Sequence, residues 1–301
     1  MNRRLSLLAL AVVLASGRGA AHPPAPAAIQ ELRTVYITVT DRDGLPVDDL
    51  TAEDFEVKEG GRPVEVTELG VATEPMQIAL IVDDNGTGLF RSALAQFVRR
   101  LDGRAVMALS SVTGQTMKVV DYTPNVDAIL RGVATLNARP GTPDGGQLLE
   151  GISEAAIELR RREARRPVII ALTVGGEEHS TVHSNLVLDQ LRESGTLLHV
   201  FSVERSALRS TMVAGRPKDL LQENMHLNRV LGDGPRQSGG RHQSIVATAG
   251  FIAGLQTLAS ELTSQYRLTY ALPAGAKRAE RLNVTVRRKG LQVRAPSKIP
   301  T

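Results

Sequence analysis

The sequence contains no cysteine and no tryptophan, and only 3% of its 301 residues are aromatic. The absence of cysteine excludes a disulfide framework and a lipid anchor on a cysteine side chain. The scarcity of aromatic residues means that any core must consist mainly of Leu, Ile, Val and Ala side chains. Beyond an N-terminal segment, no stretch is long and apolar enough to predict a membrane-spanning helix.

A strong excess of one charge is also missing. The formal net charge is +4, but residues 1–21 contain Arg3, Arg4 and Arg18 and no acidic residue. Removing these three positive charges from +4 leaves +1 for the rest of the chain. This near balance does not indicate a nucleic-acid partner, because such proteins carry a pronounced basic patch or stripe.

The N-terminus has the organisation of an export signal. A positive start is followed by an apolar run at Leu5–Ala15 and by the small residues Gly19–Ala21. We therefore predict a signal peptide at residues 1–21, cleaved before His22, and a Pro/Ala-rich linker at residues 22–31. The mature protein is expected in the periplasm or outside the cell. A buried first helix is the alternative, but three prolines follow the apolar run almost at once.

Alternating apolar and polar residues predict β-strands near both ends of the remaining chain, at Val35–Val39 and at Leu282–Val286. Neither terminal segment is large enough to bury much apolar surface alone. We therefore predict a small all-β, sandwich-like domain assembled from residues 32–73 and 265–296. Residues 297–301 are then a tail.

The middle of the chain, residues 74–264, alternates between predicted strands and helices. This pattern is typical of an α/β domain with a doubly wound, mostly parallel sheet. The apolar run Ile78–Val82 indicates a strand buried on both faces, and the polar segment Asp83–Gly88 follows it directly. Thr87 is predicted to cap the next helix, Leu89–Leu101. Ligands of open α/β folds bind at this carboxyl edge of the sheet.

An apolar strand that ends as this one does resembles the opening strand of two families. One is the response-regulator receiver, in which the strand ends in paired acids such as Asp83 and Asp84. In a receiver, Asp121 would be the phosphoacceptor and Thr173 the switch hydroxyl. However, two predicted helices separate these residues where a receiver has one, and the strand Leu197–Val203 ends in Glu204 rather than near a lysine. An exported chain also meets no ATP-driven phosphorelay. The receiver interpretation is therefore disfavoured.

Three segments resemble, in their order along the chain, the motifs of a von Willebrand factor A (vWA) domain. Residues 83–87 are similar to the first motif, Asp-x-Ser-x-Ser, with both serines replaced. Residues 141–142, Gly-Thr, match the second motif. Residues 173–178 resemble the third motif, in which Val174 stands where the family has an aspartate.

The resemblance extends beyond the predicted α/β domain. Thr38–Val47 and Leu50–Phe55 look like the leader of exported vWA-related proteins of the acidobacterial type. Ser238–Arg241 and Glu261–Tyr266 are similar to the closing segments of that group. The match covers roughly residues 32–296.

A metal-ion-dependent adhesion site is what this resemblance implies. Its ligands here would be Asp83, Asn85, Thr87 and Thr142, which would hold Mg²⁺ or Mn²⁺ through oxygen atoms. Val174 removes one expected carboxylate, so the adhesion site is degenerate and weak or absent metal binding is expected. Alternatively, Asp83 and Thr142 only satisfy loop amides and helix ends.

The same edge is predicted to bind a partner. The residues around the metal motifs that we assign to partner contact are Asp84, Gly86, Asp144, Glu177 and Glu178. The resemblance implies a non-catalytic, extracytoplasmic protein-interaction module. An exported metal-assisted enzyme and a structural envelope component are the alternatives.

Two further patterns carry less information. His179 and His183 are four residues apart, a spacing that suits a metal pair on a helix, but no His-Glu-x-x-His motif is present. No Gly-x-Ser-x-Gly motif occurs, and no serine, histidine and acid stand in a convincing order for nucleophilic catalysis.

Overall fold

A computed structural model gives the structure of the chain and describes residues 31–136, 146–203, 218–273 and 275–300. The predicted signal peptide and the linker up to residue 30 lie outside these ranges, as do Thr142 and Asp144. Side chains are not described for residues 218–223 and 248. Among the helices that the structure describes, none combines the length and apolar composition needed to cross a bilayer.

The described residues form two six-stranded sheets and six α-helices. The strands are β1 (Glu31–Thr40), β2 (Phe55–Glu59), β3 (Arg62–Val71), β4 (Met76–Asp83), β5 (Ala105–Thr113), β6 (Gln115–Thr123), β7 (Pro167–Thr173), β8 (Leu197–Val203), β9 (His242–Ile245), β10 (Tyr266–Leu272), β11 (Leu282–Val286) and β12 (Gln292–Arg294). The helices are α1 (Arg91–Arg100), α2 (Val126–Ala134), α3 (Leu148–Arg161), α4 (Ser184–Ser194), α5 (Lys218–Ser238) and α6 (Thr248–Thr263). A 3-10 turn at Ala52–Asp54 precedes β2.

The first sheet is antiparallel and sandwich-like, and it combines both ends of the described chain. Its strand order is β11-β2-β3-β10-β1-β12. Strand β10 lies between β1 and β3, with Leu268 opposite both Val35 and Leu69. Its core is aliphatic with two tyrosines and a phenylalanine, as the composition requires. The prediction that terminal segments build one all-β region is confirmed.

Residues 297–300, which the sequence suggests to be a tail, pack onto this region. Ile299 is buried, and its N–H donates to the carbonyl of Glu280 at 2.8 Å. Arg33 donates a hydrogen bond to the carbonyl of Pro300. A single apolar residue between prolines and polar residues gives no periodic signal, so the sequence could not reveal this contact.

The second sheet has the order β6-β5-β4-β7-β8-β9 and is parallel except for β6, which pairs antiparallel with β5. Helices α1, α2 and α6 cover one face, where they pack on Ile78 and Leu80. Helices α3, α4 and α5 cover the other face, where they pack on Ala79 and Ile81. Burial on both faces explains the unbroken apolar run in β4.

The path of the chain through this sheet locates a crevice. From β4 the chain adds β5 and β6 on one side, then crosses over to add β7, β8 and β9 on the other side. The strand order therefore reverses at β4. In open α/β sheets, ligands bind outside the carboxyl ends of the strands at such a switch point, and Asp83 is the last residue of β4.

Buried polar contacts join the two sheets. Arg166, which is 3% exposed, donates to the carbonyls of Ala72 and Leu262 and to Gln265 Oε1, the last at 2.9 Å. Burial lowers the pKa of Arg166 to about 10. Because the guanidinium has several partners on both sides of the junction, it holds the sheets in one arrangement.

Candidate functional site

Adjacent strands bring the first and third motif segments together at the carboxyl edge. Asp83 on β4 lies opposite Thr173 on β7. The Thr173 hydroxyl donates to Asp83 Oδ2 and accepts from the N–H of Gly175 at 2.8 Å. The N–H of Val174 donates to the Asp83 carbonyl at 2.9 Å. The end of β4 and the loop after β7 are therefore locked to each other.

The loop after β4 is organised by Asp84, whose side chain is fully buried. Its Oδ1 accepts from the N–H of Gly86 at 3.0 Å, and its carbonyl accepts from the N–H and the hydroxyl of Thr87 at 3.1 and 2.8 Å. Burial raises the pKa of Asp84, although the loop amides oppose this. Asn85 and Gly86 have φ values of 53° and 71°, which asparagine and glycine tolerate best.

One prediction for this loop needs correction, and another stays a prediction. The Asp84 side chain is buried and supports the loop, so a role of Asp84 in partner contact stays a prediction. Thr87 does not cap the helix, because α1 begins at Arg91 and its N-cap residue is Phe90. The Thr87 hydroxyl instead closes the turn on Asp84. Asn85 and Thr87 are the exposed residues of the loop.

Glu178 is also buried and serves the start of α3. It is 2% exposed, and its two carboxylate oxygens accept from the N–H groups of Leu148 and Leu149, each at 3.3 Å. The first N–H groups of a helix have no partner within the helix, so an acceptor there stabilises it. Burial, with a contribution from the negative charge of Asp83, raises the pKa of Glu178 to about 7. Of the predicted pair, Glu177 is the more accessible residue.

The described residues of the adhesion-site motifs do not assemble an oxygen-ligated cation site. The Asp83 carboxylate accepts from Thr173, the Thr87 hydroxyl is directed at the Asp84 carbonyl, and Val174 offers no side-chain oxygen. No group of three or more His, Asp or Glu side chains in the described ranges is placed to hold a metal. Weak or absent Mg²⁺ binding stays a prediction, since Thr142 lies outside those ranges.

The receiver interpretation fails on geometry. Asp121 is exposed near the end of β6, where it pairs with Lys118 at 3.3 Å. Because β6 runs antiparallel to β5, with Thr123 opposite Met107, this end of β6 lies toward the amino edge of the sheet. Thr173 lies at the carboxyl edge, with β4 and β5 between the two strands.

A serine–histidine contact between β8 and β9 was not predicted from the sequence. Ser202 Oγ lies 2.8 Å from His242 Nε2 across β8 and β9. Burial lowers the pKa of His242. Within the described residues no carboxylate bonds to His242, so the third group that orients the base in serine hydrolases is not placed. The two residues are forty positions apart, and no spacing in the sequence links them.

Three exposed apolar side chains lie toward the carboxyl edge. Leu186 is in the first turn of α4 and is 52% exposed, and Val246 directly follows β9 and is 80% exposed. Met225 on α5 is 70% exposed, and the neighbouring His226 contacts His183 at the start of α4. Single exposed apolar residues are common on protein surfaces, so the sequence carries no signal that these three belong to an interface.

No protein-family model and no curated protein matches the sequence. Among solved structures, the chain is similar to a conserved hypothetical protein, BatB, from Bacteroides thetaiotaomicron, with a TM-score of 0.42 and 15% identity over 63% of this chain and 100% of that chain. It is also similar to a von Willebrand factor type A protein from Catenulispora acidiphila, with a TM-score of 0.45 and 12% identity over 89% and 74% of the two chains.

A third similar structure is proximal thread matrix protein 1 from the mussel byssus, determined with zinc in its metal-ion-dependent adhesion site (MIDAS) motif. The TM-score is 0.44, with 14% identity over 70% of this chain. The chain spans about half (50%) of the length of the mussel protein. At such identities a likeness concerns the fold alone. The strand order and helix layers show an α/β protein with a doubly wound, mostly parallel sheet beside an antiparallel, sandwich-like region.

Proposed function

We propose that the protein is a non-catalytic, extracytoplasmic interaction module that binds another protein at the carboxyl edge of its parallel sheet. The observation that carries this proposal is the position of Asp83 and Thr173 at the point where the strand order reverses. The loops at residues 84–90 and 174–183 begin there, at the edge where open α/β sheets bind their ligands.

The internal bonding of these loops supports a binding role. Asp84 and Glu178 are buried and accept hydrogen bonds from backbone N–H groups, Asp84 through Oδ1 and Glu178 through both carboxylate oxygens, so the loops keep one conformation. The exposed residues Asn85, Thr87 and Gly176 are therefore presented on a rigid frame. A preorganised surface loses little conformational entropy on binding, which favours affinity. Asp144 and Thr142, outside the described ranges, belong to the same proposed surface.

Exposed apolar side chains at this edge supply anchors for a protein partner. Met225, Leu186 and Val246 each leave more than half of their surface in water. A few apolar anchors usually provide most of the binding energy of a protein interface. Because the metal motif lacks its third-motif carboxylate at Val174, we expect partner binding to survive EDTA.

The test uses the mature chain, residues 22–301, immobilised and exposed to an envelope extract of the native host. Met225→Asp is the edge variant, and Leu45→Asp, at a turn of the antiparallel region, is the matched control with 62% exposure of the original side chain. Met225→Asp should lower the amount of a specifically captured protein about tenfold or more. Equal capture by both variants, or loss on adding EDTA, would contradict the proposal.

Export is part of the proposal, because the partner is expected in the envelope or outside the cell. N-terminal sequencing of protein from the native host should give a chain that begins near His22. Cytosolic material with an intact Met1 would contradict it.

An exported hydrolase is the second candidate, and the contact between Ser202 and His242 is the observation that favours it. A fluorophosphonate probe labels serines that a histidine activates. We expect no labelling of the wild-type chain beyond that of Ser202→Ala. Stoichiometric labelling that Ser202→Ala abolishes would establish the enzyme alternative.

A further inference from the structure

Two histidine side chains meet at the start of α4, outside the motifs that resemble an adhesion site. His183 directly precedes α4, and His226 lies on α5. Nδ1 of His183 is 3.3 Å from Nε2 of His226, with ring centroids 5.0 Å apart and ring planes at 81°. His183 is exposed and His226 is half-buried, so the facing nitrogens are accessible to small solutes.

The separation of the two nitrogens matches that of two ligands on one metal ion. Zinc binds histidine nitrogens at about 2.0–2.1 Å in tetrahedral geometry. Two such bonds at the tetrahedral angle place the nitrogens about 3.3–3.4 Å apart. One of the two facing nitrogens carries the proton of this hydrogen bond. When His183 carries its proton on Nε2 rather than Nδ1, both facing nitrogens present lone pairs, and a small rotation of the rings directs them at one metal ion.

A buried hydroxyl group orients the second ring. Oγ of Ser184, which is 1% exposed, lies 3.0 Å from Nδ1 of His226. A neutral imidazole that binds a metal through Nε2 carries its proton on Nδ1, and in that tautomer Nδ1 of His226 donates to Ser184 Oγ. The backbone N–H of Ser184 lies 3.5 Å from the same nitrogen. Contacts of this kind fix the tautomer and the ring orientation of metal-binding histidines.

We propose that His183 Nδ1 and His226 Nε2 form a two-histidine site for a borderline transition-metal ion such as Zn²⁺, Ni²⁺ or Cu²⁺. Water completes the coordination, since no third His, Asp or Glu in the described ranges joins the pair. Affinity follows the order expected for imidazole ligands, with Cu²⁺ bound most tightly, whereas Mg²⁺ prefers oxygen.

This pair differs from the pair that sequence spacing suggested. His179 and His183 are four residues apart, but only His183 lies at the start of α4, as its N-cap residue. His179 lies near the start of α3, where its N–H donates to the Gly146 carbonyl at 2.9 Å. The helical spacing that would align two histidines is therefore not formed. The partner of His183 comes from α5, forty-three positions away.

The experiment is a calorimetric titration of the untagged full chain with Zn²⁺, Cu²⁺ and Mg²⁺. His183→Gln and His226→Gln keep a polar side chain but remove the imidazole, and each should weaken Zn²⁺ and Cu²⁺ binding at least about tenfold. Ser184→Ala should weaken binding about tenfold, because the orienting acceptor is lost. His179→Gln is the matched control and should bind like the wild type.

Imidazole ¹⁵N spectra provide a readout that a purely structural hydrogen bond would not change. Addition of Zn²⁺ should shift the resonances of His183 and His226 and leave those of His179 and His242 in place. Circular dichroism of each variant verifies that it is folded. Wild-type affinity in both Gln variants, or an equal loss in His179→Gln, would overturn the proposal. The proposed partner surface needs no metal, so the two proposals fail independently.

Discussion

Single acidic residues at the carboxyl edge have different roles although the sequence presents them alike. Asp84 and Glu178 are buried and bonded to backbone N–H groups, whereas Glu177 is accessible. A carboxylate that accepts from a loop or a helix N-terminus stabilises that element. Burial also changes the pKa of such a group, which makes its role measurable through the pH dependence of stability.

Glu178 should make the protein more stable as the pH falls from 7 to 4.5. Its pKa is about 7 in the folded state and 4.5 in the unfolded state, so the folded state binds more protons in this window. The free energy of unfolding then rises by roughly 1 kcal/mol per pH unit on acidification. Urea unfolding of the wild type and of Glu178→Gln between pH 4.5 and 8 measures this contribution as the difference between the two slopes. An unchanged slope in Glu178→Gln would contradict the assignment.

His199 should make the protein less stable as the pH falls, the opposite of the effect of Glu178. It is 1% exposed on β8, neither ring nitrogen has a partner within the described residues, and burial lowers its pKa well below 6.5. Arg294 and Arg241 lower it further. The unfolded state therefore binds more protons below pH 6.5, and stability falls by roughly 1 kcal/mol per pH unit on acidification.

The two effects oppose each other between pH 4.5 and 6.5, so wild-type stability should change little there. His199→Leu removes the contribution of His199, so stability should rise more on acidification than in the wild type, with the lowered pKa of His242 still opposing Glu178. The wild type, unfolded in parallel at each pH, serves as the control. A His199→Leu profile as flat as the wild type would show that His199 is not the buried neutral group.

Val174 is predicted to limit metal binding at the edge. The wild-type protein should bind Mg²⁺ or Mn²⁺ only at about millimolar concentration or above, because a divalent cation needs several oxygens in near-octahedral placement. Val174→Asp, alone or with Asn85→Ser, should raise the affinity measured by calorimetry. The serine carries a small conformational cost, since Asn85 has φ of 53°.

Val246→Asp is the control for this experiment, because it adds a carboxylate at the same edge outside the motif. It should leave the affinity unchanged. Micromolar binding by the wild type would mean that another acid, such as Asp144 or Glu177, replaces the missing carboxylate, and the interpretation of a degenerate site would be wrong.

At the level of elements, β9 is the strand that the sequence did not predict. It has four residues, His242–Ile245, and pairs with β8 in parallel. Such a short edge strand with three polar residues shows no apolar run. Its pairing depends on the preceding glycines. Gly239 has φ of 85°, and a Cβ on Gly240 would lie 1.9 Å from the carbonyl oxygen of Leu198.

Gly240→Ala should therefore separate β9 from β8. The clash is with backbone, which cannot rotate away, and we expect a loss of about 1–3 kcal/mol in the free energy of unfolding. Gly232→Ala, inside α5 with no neighbour within 4 Å of its Cβ, is the matched control. It should increase stability by about 0.5–1 kcal/mol. Urea unfolding measures both, and equal effects would contradict the close approach seen at Gly240.

At the scale of the whole molecule, stability of the antiparallel region depends on its C-terminal strands. Strand β10 lies between β1 and β3, so deleting Gln265–Thr301 leaves residues 32–73 without their central strand. Limited proteolysis should then cleave residues 32–73 rapidly, with the full-length chain digested in parallel as the control. Resistance of residues 32–73 after the deletion would show that the two ends do not depend on each other.

The sequence by itself determined most of the regular structure. Apolar runs and alternating patterns depend only on which faces of an element are buried, so β4, α1 and β11 were predicted within a few residues of their observed bounds. The prediction that the two terminal segments form one β-region followed from the apolar surface that such a small region must bury. The position of Asp83 at the end of a buried strand also followed from local pattern.

Contacts between distant residues were decided only by the tertiary structure. The burial of Asp84 and Glu178, the contact of Ser202 with His242 and the pairing of His183 with His226 depend on elements from separate parts of the chain. A side chain's exposure and its hydrogen-bond partner are set by what packs against it, and local periodicity contains no information about that neighbour. The sequence could therefore place the edge, but the packing of α3, α4 and α5 against the sheet decided which edge residues face the solvent.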